Sequence, residues 1–218
     1  MTEIIVIGAG GHARVVIAEL RAGGHKFAGL VDADAALHGK ALDGVPILGG
    51  DDVIDGHPPA DIILANAIGN RRARIGDSAL TIRRTLFERF VARGYRFASI
   101  ISPAAFISPT AQLGHGCHIF AGAIVQPAAV IGANTIVNTG AQVDHDCVIG
   151  AHCHITPGAV VCGAVTLGDE VHVGAGAVIV HDVNVGARAM IGAGAVVVSD
   201  VAAGATVLGN PARPVRLK

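Results

Sequence analysis

The stretch AQVDHDCVIGAHCHI, residues 141–155, holds three histidines, two cysteines and two aspartates. Two chemistries use such residues. Thiolates and imidazoles together bind zinc and similar metals. An imidazole beside a carboxylate takes and returns a proton near neutral pH. Which side chains point the same way decides between them, and that depends on the elements that carry them.

From about residue 101 an aliphatic residue recurs every six positions, from Ile101, Ile107 and Leu113 through to Ile191 and Val197, seventeen times without a miss. An α-helix repeats at 3.6 and a simple strand at 2, so neither explains it. Period six is the hexapeptide repeat of a parallel β-helix. Glycine follows the aliphatic residue at Leu113, Ile131, Ile149, Leu167 and Val185, every 18 positions, so three hexads make one triangular coil. Coils stack at the spacing of paired strands, about 4.8 Å. The fourth position after each aliphatic residue is small or β-branched, and strand alternation turns both inward. Cys147 and Cys153 occupy that inward slot. They are core fillers rather than metal ligands.

The same ruler places the histidines. His145, two after Val143, sits at a corner of the triangle, and His152 at the next corner. His154 is mid-face and points outward, on the face opposite the His145 corner. Those two meet only if a neighbouring prism brings its face to that corner, as three parallel prisms around a threefold axis would. His118, His154 and His172 share one outward column, broken by Ile136. A polar, solvent-facing column or interface hydrogen bonds account for His118, His152 and His172. His145 is the candidate for chemistry: Asp144 and Asp146 flank it, and Gly163, one coil above, leaves the corner open. Asp146, in the same turn, is the better partner to fix the imidazole tautomer. Asn138 is placed to orient substrate or imidazole. The backbone near Gly163, or His154 of a neighbour, can serve a developing oxyanion. Hexapeptide-repeat carbonic anhydrases bind zinc through three histidines, two of them two coils apart. His118/His154 and His145/His181 have that spacing, but the third position is Ala159 or Gly186, so no metal is expected.

Residues 1–100 follow a different grammar of alternating strands and helices. EIIVIGAG reads as a buried strand entering a glycine turn, and GHARVVIAELRAGG as a helix ending at glycine. FAGLVDAD and ADIILANAIGN read as further strands. RRARIGDSALTIRRTLFERFVARGY reads as two helical pieces broken at Gly76-Asp77-Ser78. This order predicts a small parallel α/β domain. GAGGHA, Gly8 to Ala13, fits G-x-G-x-x-A, with Asp32 at the end of the next strand. Glycines let backbone N–H groups at a helix start approach a phosphate, and an acid can grip a ribose hydroxyl. About 100 residues are too few for a two-lobed dinucleotide fold, so a nucleotide-sugar pyrophosphate suits the loop better than a nicotinamide cofactor. Gly69 and Asn70, in AIGN at the end of another strand, are expected to line the same crevice.

Bulk properties exclude other classes. Lys+Arg is 16 against Asp+Glu 17, which gives no bulk charge for nucleic acid or an anionic membrane. No apolar run is long enough to span a bilayer, and the start lacks a basic, signal-like region. With no C-x-x-C among four cysteines, a cytoplasmic location is expected.

In GAGGHARVV, AIGN, NTGAQVDHDCVIGAHCHITPGAVVCG and GNPARPV, the chain resembles the NeuD/PglD-type bacterial sugar acyltransferases over nearly its whole length. The resemblance implies a Rossmann-like domain (1–100) followed by a left-handed parallel β-helix (101–218), assembled as a homotrimer with active sites between subunits. It implies His145 as general base, Asp146 as its acid and Asn138 nearby. It places His154 near the acetyl thioester, and the backbones of Gly163, Ala175 and Ala193 against acetyl-CoA. Gly10, Gly11 and His12 would hold the pyrophosphate, and Asp32 and Asp34 approach the ribose or base. The activity implied is acetyl-CoA-dependent N-acetylation of a nucleotide-linked amino-dideoxy sugar, such as a 4-amino sugar of the bacillosamine or perosamine type. The alternatives are O-acetylation of a sialic-acid-type sugar, or a non-catalytic scaffold.

Overall fold

Continuous apolar runs build the first sheet, because its strands are covered on both faces. The computed structural model describes residues 3–69 and 79–215, in two compact units, Met1–Ile100 and Ile101–Lys218. The described residues of the first unit form a sheet of the strands β1 (Glu3–Ile7), β2 (Phe27–Val31), β3 (Ala41–Leu42), β4 (Val45–Gly49) and β5 (Ile62–Asn66). Their spatial order is β3-β4-β2-β1-β5, all pairs parallel except β3 with β4. The chain winds outward from β1 through β2 to β4, then crosses to the other side of β1 for β5. Such a reversal opens a crevice at the carboxyl ends of the strands, between β1 and β5. The β3–β4 hairpin was not expected. It turns on Asp43-Gly44, at φ 48° and 79°, the two left-handed positions that a tight hairpin requires.

Among the described residues three helices accompany the sheet: α1 (Gly11–Ala22), α2 (Asp52–Asp55) and α3 (Ala79–Ala92). Helix α1 buries Ala13, Val16, Ile17 and Leu20, the i, i+3, i+4, i+7 stripe of a core-facing helix. It stops at Gly23 and Gly24. Helix α3 is tied to α2 by Arg93–Asp55 and to its start by Arg89–Asp51. The helix break expected at Gly76-Asp77-Ser78 lies outside the described residues. No helix among the described residues is long and apolar enough to cross a membrane.

The second unit is the left-handed β-helix. Its two-residue strands stack into three parallel sheets. The first face carries Phe106–Ile107 through Val196–Val197, the second Gln112–Leu113 through Asn184–Val185, and the third His118–Ile119 through Met190–Ile191. Each residue pairs with the one 18 further on, as Gln142 does with Ile124 and Val160. The inward aliphatic column is buried from Ile119 to Val197, with Cys117, Cys147 and Cys153 in the small slot. Their thiols donate to carbonyls one coil up, Cys147 to Cys162 and Cys153 to Gly168, at 3.1 Å. Burial pushes their pKa to about 11 and about 12, so they stay protonated fillers. The glycine that recurs every coil has a packing cause. A Cβ on Gly132 or Gly168 would lie 2.5 Å from backbone of the next coil.

The tail returns over the last coil. Val201 exchanges hydrogen bonds with Asn184 and Gly186 on the second face, Thr206–Leu208 pairs with the third, and Gly209 and Ala212 bond to Val196 on the first. Arg213–Pro214 then pairs antiparallel with Thr206–Leu208.

Candidate active site

In the first unit the glycine loop runs from β1 into α1 at the carboxyl edge of the sheet. Gly8, at φ 101°, has no room for a side chain: a Cβ would meet Ile68 at 3.0 Å and the Ala67 backbone at 3.3 Å. Gly10 and Gly11 are exposed, and a Cβ on either would meet nothing within 4 Å. Gly10 caps α1 with no side-chain hydrogen bond, and the first turn carries no acid. The helix start therefore presents N–H groups and a positive dipole end outward. His12 packs beneath Gly69, whose missing Cβ would lie 2.6 Å from that of His12. Burial, then the charge of Arg83, holds the His12 imidazole down at about 4, so it is neutral at physiological pH. A cleft of about 370 Å³ opens here, with Gly8, Asp32, Asp51, Ile68 and Ile82 among its walls.

The two aspartates have local duties. Asp32 accepts from the N–H of Ala9 at 2.7 Å and of Asp34 at 2.9 Å, so it braces the glycine loop. Asp34 accepts from Ala36 N–H at 3.0 Å and caps a short 3-10 turn. Asp32 and Ala33 line the cleft, and Asp34 follows them outside its walls. Asn70 lies outside the described residues. Sequence reasoning missed Arg83 and Asn66. Arg83, only 1% exposed, donates to the carbonyls of Asn66 and Ile68, and Asn66 Nδ2 donates to Arg83 O at 3.0 Å.

In the second unit, the turn between the first and second faces places His145. Asp146 adopts φ 57°, a left-handed conformation that aspartate tolerates better than most residues. From there its Oδ2 lies 2.8 Å from His145 Nδ1. A carboxylate only accepts, so Nδ1 carries the proton and Nε2 keeps its lone pair. Asp144 Oδ1 accepts from His145 N–H at 2.8 Å. The hydrogen bond to Asp146, and then the charge of Asp144, raise the His145 pKa above the ordinary histidine value. Gly163 roofs the ring: a Cβ there would lie 2.7 Å from Cε1 and Nε2. The His145 side chain is 59% exposed, so Nε2 can meet a substrate.

Asn138 and His154 form a second pair, across two adjacent coils. Asn138 Oδ1 accepts from Thr139 N–H at 2.8 Å, which turns Nδ2 toward His154 Nε2, 3.1 Å away. His154 thus accepts at Nε2 and carries its proton on Nδ1. Asn138 binds His154 and not His145. The solvent-facing histidine column expected from the repeat needs correction. His118 and His154 are buried, at 0% and 5%, because neighbours pack on them. The His118 ring meets Phe120, and the His154 ring meets His172 edge-on at 5.5 Å. His152 is buried too, 2.9 Å from Asn134.

Ala175 and Ala193 are exposed and stack on the turn between the third and first faces. Beside them runs a column that sequence reasoning also missed: Gly122, Gly140, Gly158, Gly176 and Gly194, all at φ 64° to 70°. A Cβ on Gly140, Gly158, Gly176 or Gly194 would meet nothing within 4 Å. His145, Asp146 and Gly163 therefore share one edge of the prism. Asn138, His154, Ala175 and Ala193 lie on the opposite face or its far edge. Among the described residues no group of three or more His, Cys, Asp or Glu is placed to hold a metal ion.

Residues 3–76 match the PglD N-terminal domain, and residues 128–163 and 164–199 match the bacterial transferase hexapeptide repeat. No curated protein matches significantly. Among solved structures, a histidine-to-asparagine mutant of perosamine N-acetyltransferase from Caulobacter crescentus, in complex with CoA and GDP-perosamine, is 35% identical. The alignment covers 99% of this chain and 98% of that one, with a TM-score of 0.90. The acetyltransferase domain of PglB from Neisseria gonorrhoeae, in complex with acetyl coenzyme A, is 37% identical over 98% of both chains, with a TM-score of 0.88. WeeI from Acinetobacter baumannii is 28% identical over 99% of this chain and 100% of that one, with a TM-score of 0.80. The chain belongs to the NeuD/PglD-type family of bacterial sugar acyltransferases.

Proposed function

We propose that this protein transfers the acetyl group of acetyl-CoA to the amino group of a nucleotide-linked amino-dideoxy sugar, a 4-amino sugar being the best fit. The observation that carries this reading is His145: exposed, proton fixed on Nδ1 by Asp146, lone pair on Nε2, and backed by a glycine. The relatives at 35% and 37% identity are structures with CoA and GDP-perosamine or with acetyl coenzyme A.

As the sugar amine attacks the thioester carbonyl, its nitrogen becomes acidic. His145 Nε2 takes that proton and Asp146 stabilises the imidazolium. When the C–S bond breaks, the imidazolium returns the proton to the departing CoA sulfur. Asn138 and His154, contributed by an adjoining protomer, line the thioester side. The glycine column and the backbones of Ala175 and Ala193 leave an open edge against which the long arm of CoA can lie. The glycine loop at Gly10, Gly11 and His12 receives the pyrophosphate, and Asp32 and Asp34 lie on the ribose side. We read the assembly as a homotrimer because the His145 edge and the His154 face are opposite sides of one prism, so each site needs two chains. A cytoplasmic location suits acetyl-CoA as donor.

Release of the CoA thiol is measured with UDP-, GDP- and dTDP-linked 4-amino sugars and with free sialic acids. Turnover of one nucleotide 4-amino sugar is expected; turnover of sialic acids alone overturns the reading. Trimers mixed from His145→Ala and His154→Ala protomers test the shared site. Each parent is impaired, and about a quarter of wild-type activity returns in the mixture if edge and face come from different chains. No recovery means that each site lies within one chain.

A further inference from the structure

We infer that Arg83 is a positioning residue of the nucleotide-sugar site: its guanidinium clamps the end of β5 and thereby sets the glycine loop that receives the pyrophosphate. This rests on the nucleotide-sugar reading above. Arg83 is buried to within 1% of completely, in a helix whose other arginines, Arg84 and Arg89, pair with Glu88 and Asp51. Its Nη1 donates to the carbonyls of Asn66 and Ile68, the second at 3.3 Å. Asn66 answers from its side chain, donating to Arg83 O at 3.0 Å and accepting from Ile68 N–H at 3.3 Å. Arg83, Asn66 and Ile68 are thus linked by four bonds at the point where β5 ends.

That point is in direct contact with the glycine loop. Ala67 N–H donates to Ile7 O at 2.9 Å, one residue before the loop begins. Ile68 and Ala67 fill the space where Gly8 has no Cβ, and Gly69 sits on His12. A planar, five-donor guanidinium can hold two carbonyls in fixed relation, and an ammonium holds them less rigidly. The clamp therefore sets where Gly10 and Gly11 present their N–H groups. Its positive charge, close enough to His12 to weigh on that imidazole, lies on the same side of the sheet edge as the expected pyrophosphate. Burying an arginine is costly, and a surface residue would suffice for helix stability alone.

The test is titration calorimetry on the full chain with GDP, UDP and dTDP and their nucleosides, for wild type, Arg83→Lys and Arg83→Met. For the diphosphate that wild type binds best, Arg83→Met is expected to weaken affinity by about tenfold or more, with Arg83→Lys between it and wild type. The matching nucleoside should change by less than about twofold, and the KM for acetyl-CoA should not move. Equal weakening of diphosphate and nucleoside, no weakening at all, or failure of both variants to fold overturns the inference and makes Arg83 a purely structural residue. If wild type binds none of the three diphosphates, the nucleotide-sugar reading fails first, and this inference falls with it.

Discussion

Two edges of the prism have nearly the same backbone and opposite side-chain habits. At the edge of His145, the left-handed position is held by Ala128, Asp146, Ala164 and Asp182, at φ 57° to 60°. At the edge of Ala175 and Ala193 the equivalent position is glycine in every coil from Gly122 to Gly194. A side chain there costs roughly 1–2 kcal/mol of backbone strain, and the first edge carries that cost four times over. Backbone geometry therefore does not demand glycine at the second edge. Nor does packing within the chain, since four of those glycines face open space. What glycine keeps clear is the outside of the molecule. One edge holds the His145 side chain out, and the other leaves its main chain open to the outside.

Four substitutions break or sharpen that contrast. The largest effect belongs to His145→Ala. It should lower kcat by about 10² to 10⁴ while leaving the melting temperature unchanged, because the ring is exposed. A steady-state assay with a melting curve checks both. Gly163→Ala follows. Its Cβ would lie 2.7 Å from the imidazole, so the ring must swing aside, and kcat should fall by about a hundredfold. Because φ at Gly163 is not left-handed, stability should change by under about 0.5 kcal/mol in a denaturant titration.

Asp146→Asn acts mainly on the pH profile. The acid raises the His145 pKa, and a base works only when deprotonated, so kcat/KM for wild type should climb with pH through a pKa above the ordinary histidine value. Removing the charge lets that pKa fall, so the climb should move to lower pH while the plateau drops by about tenfold. A profile that does not move separates Asp146 from the proton transfer. The smallest effect is that of Gly176→Ala. It should cost roughly 1–2 kcal/mol of stability, as the alanines of the other edge already do, and raise the KM for acetyl-CoA by about threefold with kcat kept. An unchanged KM would remove the purpose assigned to the glycine edge.

The β-helix was legible because its rule is periodic: one register at Ile119 or Val143 dictates which side chains are inside for every coil. That rule also put His145 on an edge, under Gly163, and across the prism from His154. It could not say that His118 and His154 are buried, since period six fixes direction relative to the core and not what packs on the outer side. Left-handed φ at Asp146 was equally hidden, because the turn accepts several residue types; yet that angle brings the carboxylate to Nδ1. In the α/β unit the glycine loop and Asp32 were visible as a motif. The β3–β4 hairpin escaped notice although LDGV carries an Asp-Gly turn signal, because β3 has only two residues and the outward positions of β4 are Pro46 and Leu48, which hide its alternation. Arg83 stands next to Arg84 in an amphipathic helix, and only packing distinguishes the buried one from its partly exposed neighbour.

The folded-back C-terminal strand has a consequence for how this molecule stays discrete. A stack of parallel coils has no natural end: its last rung offers the same row of donors and acceptors that recruited it, to any passing copy. By laying Val201, Thr206–Leu208 and Gly209 across the three sheets, and turning one segment antiparallel, the chain occupies that growing tip with its own main chain. Shortened before Val201, the same protein would keep its His145 edge and acquire the propensity of an unfinished fibre.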